Sequence, residues 1–299
     1  MELQWPLILF TTFVAWSAGL FGAQGAASLA GEGKRAQLPA LAASAALLAV
    51  GGIAVFFHLE HWERIFNGFG NPTSGITQEL VCVVVVAALM VVAFVMLRRG
   101  VQGDGGTATG APALPKWLAV CAIASAALLV AVSAHSYMMA ARPAWDSVLG
   151  PLSLLAAACV LGPATFAVIE ALAGEEAGRV MGMAALVGAI ANLCASTAYL
   201  VFMEMATASY ADVGFYYDPT HPTAGMVDVA ALSPFAGESV AMAAVALVAA
   251  VLPVVAVLVA RRARNWKLWG SVAAGCALVG AVALRMAFYS VGASVYLFY

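Results

Sequence analysis

The sequence predicts an all-α, polytopic membrane protein: a bundle of eight transmembrane helices with both termini outside. Three observations carry that prediction. Only 9% of the 299 residues are charged and 64% are hydrophobic, whereas an ordinary soluble domain carries about 25% charged residues, so much of the surface must face lipid. Eight apolar runs are each long enough to cross a bilayer. The basic residues fall almost entirely on one side of those runs.

A crossing helix needs roughly 20 apolar residues. The first run, Pro6–Ala30, lacks a basic start and a convincing cleavage site, so it reads as a retained helix rather than a signal peptide. "GEGKRAQ" separates it from the second, Leu38–Leu59, which leads into the polar stretch "FFHLEHWERIFNGFGNPTSGITQE". The third, Leu80–Leu97, stops at Arg98 and Arg99, and a Gly-rich linker leads to the fourth, Trp117–Ala140. "ARPAWDS" joins it to the fifth, Leu149–Leu172, and "GEEAGR" joins that to the sixth, Val180–Met205. A long, acidic and aromatic linker, "SYADVGFYYDPTHPTAGMVDVAALSP", precedes the seventh, Phe235–Ala260; "RRARNWK" precedes the eighth, Leu268–Val291. Barrel strands would be about 10 residues of alternating character, and these runs are longer and apolar all round. With no fixed-period repeat, residues 1–299 read as a single integral-membrane domain.

Orientation follows from lysine and arginine. Lys34, Arg35, Arg98, Arg99, Lys116, Arg179, Arg261, Arg262, Arg264 and Lys267 lie in odd-numbered linkers, and only Arg64 and Arg142 in even ones. The basic side is expected to be cytoplasmic, which places both termini, the stretch after helix two and the long sixth linker outside. The net charge of -2 gives no sign of a nucleic-acid partner.

With this topology the ionisable groups near the membrane cluster at the outer end: His58, Glu79, His135, Arg142, Glu204, Glu238 and Arg285. Glu170 alone lies near an inner end. Charges in lipid are costly and normally face a bundle interior or a wet cavity. The expectation is a one-sided polar pocket above a largely apolar plug. A channel or proton pump would want polar groups on both sides of the midplane.

His58 and Glu79 are the candidate catalytic pair. Imidazole exchanges protons near neutral pH and hydrogen-bonds a carbonyl or hydroxyl; a carboxylate across the turn can take a second proton. A quinol carries hydroxyls on opposite sides of a flat ring and loses two protons with two electrons, which suits such a pair. The same residues equally fit a plain polar helix end at the headgroup layer. His61 is one helical turn from His58, but third and fourth metal ligands are missing nearby, so an interfacial role fits it better. Glu60, Glu63 and Arg64 form a solvated rim, or Arg64 reaches Glu60 or Glu79. Arg285 can hold a carboxylate such as Glu204 or Glu238, or a quinone carbonyl. Trp145 and Asp146 sit where an aromatic anchor or a cavity mouth would be. The long sixth linker suits a lid or a docking surface for a soluble partner, or is simply disordered.

Of four histidines, only His58 and His135 share a depth that would let them pair on a b-type haem, and no second pair exists. The five cysteines, Cys82, Cys121, Cys159, Cys194 and Cys276, are each alone in a helix. Iron–sulfur ligation and structural disulfides are therefore not expected within this chain, and any electron carrier besides a quinone must belong to a partner.

Several stretches resemble one family. "WPLILFTTFVAWSAGLFGA", "FFHLEHWERIFNGF" and "SGITQE" are similar to the membrane anchor subunit of dimethyl sulfoxide reductases, the DmsC type, and "PAWDSVLGPL" is a weaker echo. The resemblance is specific over roughly the first hundred residues and mainly topological beyond. Glu60 departs from the glycine expected after His-Leu, which bears on the shape of the outer turn. The resemblance implies a chain of the bacterial cytoplasmic membrane, working in anaerobic respiration. It would oxidise menaquinol near the outer face without haem or iron–sulfur cluster of its own. The electrons would pass to an iron–sulfur subunit and a molybdopterin catalytic subunit docked outside. His58, Arg64, Glu79, His135 and Arg285 are the candidates for the quinol pocket. Related polysulfide- or nitrite-reductase-type anchors, a haem-b anchor and a small-molecule transporter are the alternatives. A transporter would usually show broken helices and polar groups at the midplane.

Overall fold

The structure is a computed structural model that describes residues 3–58, 61, 70–101, 113–210 and 229–295. These residues are all-helical, without strands, and eight helices are long and apolar enough to cross a membrane. They are α1 (Trp5–Ala30), α2 (Gln37–Phe56), α3 (Gly75–Val101), α4 (Lys116–His135), α5 (Leu149–Leu172), α6 (Arg179–Ala206), α7 (Ser239–Ala263) and α8 (Trp266–Val291). Two short 3₁₀ turns, Thr207–Tyr210 and Val229–Leu232, flank the long linker before α7.

The two halves of the bundle share one packing scheme. In the first, α1 packs on α2 and α4, and α3 on α4; in the second, α5 packs on α6 and α8, and α7 on α8. The halves meet through α1 and α5, the two most buried spans, and α3 is the most exposed. No hydrophobic force drives helices together in lipid, so close approach depends on small residues. At the α1–α5 crossing, a side chain on Gly162 would run into the backbone of Gly19, and one on Gly19 into the backbone of Ala158. Gly188 of α6 lies in the same way against the Cys159 carbonyl. Pro163 and Pro253 sit inside α5 and α7, where neighbouring groups in a bundle can meet the freed backbone acceptors.

The ends of three helices differ from the sequence reading, all at the same end of the bundle. α2 stops at Phe56, not Leu59, because the chain tightens there: the Phe57 N–H donates to the Ala54 carbonyl at 3.2 Å and that of His58 to Val55 at 3.0 Å, the i→i−3 pattern of a 3₁₀ turn. α3 starts at Gly75, not Leu80. Asn71 accepts from the Thr73 amide at 3.2 Å and hydroxyl at 2.7 Å, and the Gln78 N–H already donates to Ser74 at 3.0 Å. Polar residues that read as loop therefore build a turn that starts the helix, and Glu79 lies inside α3. α4 stops at His135, not Ala140, where Tyr137 and Met138 turn back by 3.3 and 2.9 Å bonds to Ala134 and His135.

Away from that end the interior is apolar in the main, with polar exceptions. Gln24 Nε2 donates to the Gln37 carbonyl at 2.9 Å, and the Ser17 hydroxyl to Ser44 at 2.7 Å. Glu170 is fully buried, and its Oε2 accepts from the Gly178 N–H at 3.0 Å across the α5–α6 turn. These groups tie backbone and turns together.

Candidate functional site

At the end of the bundle where α2 leads towards α3, five segments enclose a cavity of about 500 Å³. Gln4, Leu7 and Phe10 come from the start of α1, Val55 and His58 from the end of α2, and Ile76 and Glu79 from the first turns of α3. The α4–α5 connection contributes Ser136, Tyr137, Met139, Arg142 and Trp145, and α8 contributes Tyr289. The tight ends of α2 and α4 border this space, and the early start of α3 brings Ile76 and Glu79 to its wall.

His58 and Glu79 thus line one cavity, though the polar stretch between the second and third spans separates them in the sequence. His58 is exposed and sits at the rim; Glu79 is 8% exposed. Gly75 lets them approach. A Cβ there would come within 2.9 Å of the Ser136 Cβ, so α3 can begin against the end of α4 only with glycine, and Glu79 follows one turn later. Its Oε1 makes no hydrogen bond of ordinary geometry, and the Ser133 hydroxyl of α4, likewise without one, is its polar neighbour. Buried polar atoms are rarely left so, and this one belongs to a residue that lines the cavity.

The opposite wall is aromatic and cationic. Arg142 Nη1 donates to the Gly292 carbonyl at 2.7 Å, and its guanidinium lies 4.3 Å over the Trp145 ring. The Trp145 indole N–H donates to the Phe288 carbonyl at 2.8 Å. Tyr137 meets Trp145 and Tyr289 edge to face, centroids 6.4 Å away in both cases. Its hydroxyl is pushed well above the usual tyrosine range, first by burial, then by the nearby Tyr289 and Glu79, with Arg285 opposing. Tyr137 therefore stays a neutral hydroxyl, with Tyr289 as its hydrogen-bonding neighbour on the same wall. The connection is itself pinned: Val295 donates to the Ala141 carbonyl at 2.9 Å, and Tyr199 to Ala144 at 3.1 Å.

The other candidates are placed less centrally. His135 is exposed and does not line the cavity. Arg285 is 5% exposed, lies 5.3 Å over Phe288, and has a buried Nη2 without a hydrogen-bond partner. It sits one turn before Tyr289, behind the wall. Glu204 instead accepts from the Ser233 hydroxyl at 2.5 Å, and Glu238 is the exposed residue before α7. Arg64, Glu60, Glu63, His221 and the long linker over 211–228 lie outside the described residues. Sequence reasoning did not single out Tyr137 and Tyr289 as pocket residues. The available signals were a Tyr two residues past a helix-ending His, and a Tyr one turn past a buried Arg. Among the described residues no group of three or more His, Cys, Asp or Glu could hold a metal ion.

The eight-span, all-helical bundle defines a multi-pass integral membrane protein, and the aromatic-walled cavity lies at one of its ends. The profile of the family described as DMSO reductase anchor subunit (DmsC) matches residues 1–291. The chain belongs to that family: it is a membrane anchor subunit of a DMSO reductase-type complex, and a partner of catalytic reductase subunits. No curated protein matches it.

Proposed function

We propose that this anchor subunit oxidises menaquinol in the His58–Glu79 cavity and hands the electrons to an iron–sulfur subunit, which feeds a molybdopterin catalytic subunit. Both partners dock on the outer face, in the bacterial cytoplasmic membrane, and the complex serves anaerobic respiration. One observation carries the reading: a buried carboxylate and a rim histidine line the same cavity. A quinol ring in that space loses two protons and two electrons. His58 takes one proton through its imidazole and Glu79 the other through its carboxylate; both pass on to the outer aqueous phase. The two electrons leave to the cluster of the iron–sulfur partner. Tyr137 holds a ring oxygen as a donor, and Arg142 keeps a fixed positive charge beside it. Family membership supports the reading.

The test compares two electron donors in membranes that contain the whole complex. With a quinol analogue, His58→Ala and Glu79→Gln should each be slower by roughly 10²–10⁴-fold, the worth of a positioned acid–base group. An artificial donor that feeds the catalytic subunit directly should work at the wild-type rate. A His58→Ala complex that oxidises quinol normally overturns the proposal. Loss of both routes together would make His58 an assembly residue instead.

A further inference from the structure

A second, apolar space lies farther along the same faces of α2 and α3 as the His58–Glu79 cavity. On α3, Ile76 and Glu79 line the cavity, and Val83, Ala87, Met90 and Phe94 line an apolar cleft of about 840 Å³ between α2 and α3. These positions step by three or four residues, so they share one helix face. α2 shows the same pattern: Val55 and His58 face the cavity, and Leu48, Ala45 and Leu41 face the cleft. Gly52 falls on the α2 stripe between the two spaces, and a Cβ on it would meet nothing within 4 Å. That position is open between the two spaces. The corresponding helices of the second half, α6 and α7, pack against each other, whereas α2 and α3 touch only lightly.

The splayed pair leaves a groove whose α2 wall is hollowed by Ala42, Ala45 and Ala49. From Val55 to Leu38 it runs roughly 25 Å at the 1.5 Å rise of a helix, and Arg98 marks its far end. We propose that this groove seats the isoprenoid tail of the quinol, so that the substrate enters sideways from the bilayer between α2 and α3. The proposal rests on the quinol reading of the cavity. A ring cannot reach Glu79 while its tail stays in lipid unless an apolar path leads out of the cavity, and the faces of α2 and α3 that line the cavity are the ones that line the cleft. An open lipid-facing gap also forfeits dispersion contacts that a flexible chain can restore.

The experiment reads kcat/KM for long-tailed menaquinol and for a tailless naphthoquinol, in the whole complex, and takes their ratio. Gly52→Leu and Ala45→Phe fill the groove at its top and middle. Each should lower the long-tailed to tailless ratio at least about tenfold. A menaquinone carrying a photoreactive group at the tail end should label peptides of α2 and α3, and Ala45→Phe should abolish that labelling. If both variants keep the wild-type ratio, whether or not the absolute rates fall, the groove holds only lipid acyl chains and the proposal is overturned. A wild-type complex that oxidises neither quinol, yet accepts electrons from the artificial donor, would sink the quinol reading itself and the groove with it.

Discussion

Trp145 lies flat on Phe288, with ring centroids 4.3 Å apart and planes 8° apart, and its indole N–H donates to the Phe288 carbonyl at 2.8 Å. One residue comes from the α4–α5 connection and the other from the last turns of α8, so the stack fastens the cavity wall to the second half of the bundle. Trp145→Phe keeps a ring on Phe288 but loses the hydrogen bond, and should cost about 1–2 kcal/mol. Trp145→Ala removes the ring too and should cost about 3–5 kcal/mol. Unfolding of the purified chain by a denaturing detergent measures both. Equal losses would mean that the stack contributes nothing beyond the hydrogen bond.

Gly292 offers a sharper test of the same wall. A Cβ on it would run into the Trp145 indole, so Gly292→Ala should destabilise by about 1–3 kcal/mol through overpacking. Gly275, inside α8, has open space around its Cβ position. There Gly275→Ala should be neutral or stabilising by about 0.5–1 kcal/mol. The same unfolding measurement compares the two, and similar effects would refute the packing argument.

These positions also show what the sequence could and could not disclose. The spans were legible because lipid demands long apolar runs, and the bias of Lys and Arg is readable by eye. His58 and Glu79 stood out because each is an ionisable residue at the edge of such a run. The early start of α3 was hidden, because Asn71, Thr73 and Ser74 read as loop until their hydrogen bonds are seen. That shift moves Glu79 from a helix end into the helix. Tyr289 and Arg142 were harder still. Their relevance comes from contacts between segments far apart in the chain, such as Arg142 with Gly292, which no local pattern encodes.

Membrane orientation is tested with single cysteines in a cysteine-free background. Glu238, before α7, and Glu176, between α5 and α6, are both exposed and lie at opposite ends of the bundle. An impermeant thiol reagent applied from outside should label Glu238→Cys at once and Glu176→Cys only after permeabilisation, as the ten basic residues of the odd linkers require. The opposite result would put the His58–Glu79 cavity on the cytoplasmic side.

Haem is tested by spectroscopy of the purified chain. A b-type haem in such a bundle usually has two histidines on facing helices, yet His135 is exposed and lines no part of the cavity that holds His58. No Soret band attributable to this subunit is expected. A stoichiometric band lost in His135→Ala would overturn the haem-free reading.

Arg142 separates a structural tie from a role at the ring. Its guanidinium donates to the Gly292 carbonyl at 2.7 Å and covers Trp145 at 4.3 Å while lining the cavity. Lysine keeps the charge but not the planar fork or the stacking; methionine keeps the length and loses the charge. Both variants give up geometry that only arginine has, and the charge-assisted hydrogen bond alone is worth about 1.5–3 kcal/mol, so both should unfold more easily. Quinol kinetics should divide them. A positive charge beside a ring oxygen gains strength as the oxygen gives up its proton, so Arg142→Met should lower kcat/KM for quinol about tenfold or more, equivalent to about 1.4 kcal/mol or above. Arg142→Lys should recover most of that loss while remaining as unstable as Arg142→Met. If the two variants oxidise quinol equally well, the arginine is a clasp between the connection and the end of α8, and its charge plays no part in the chemistry.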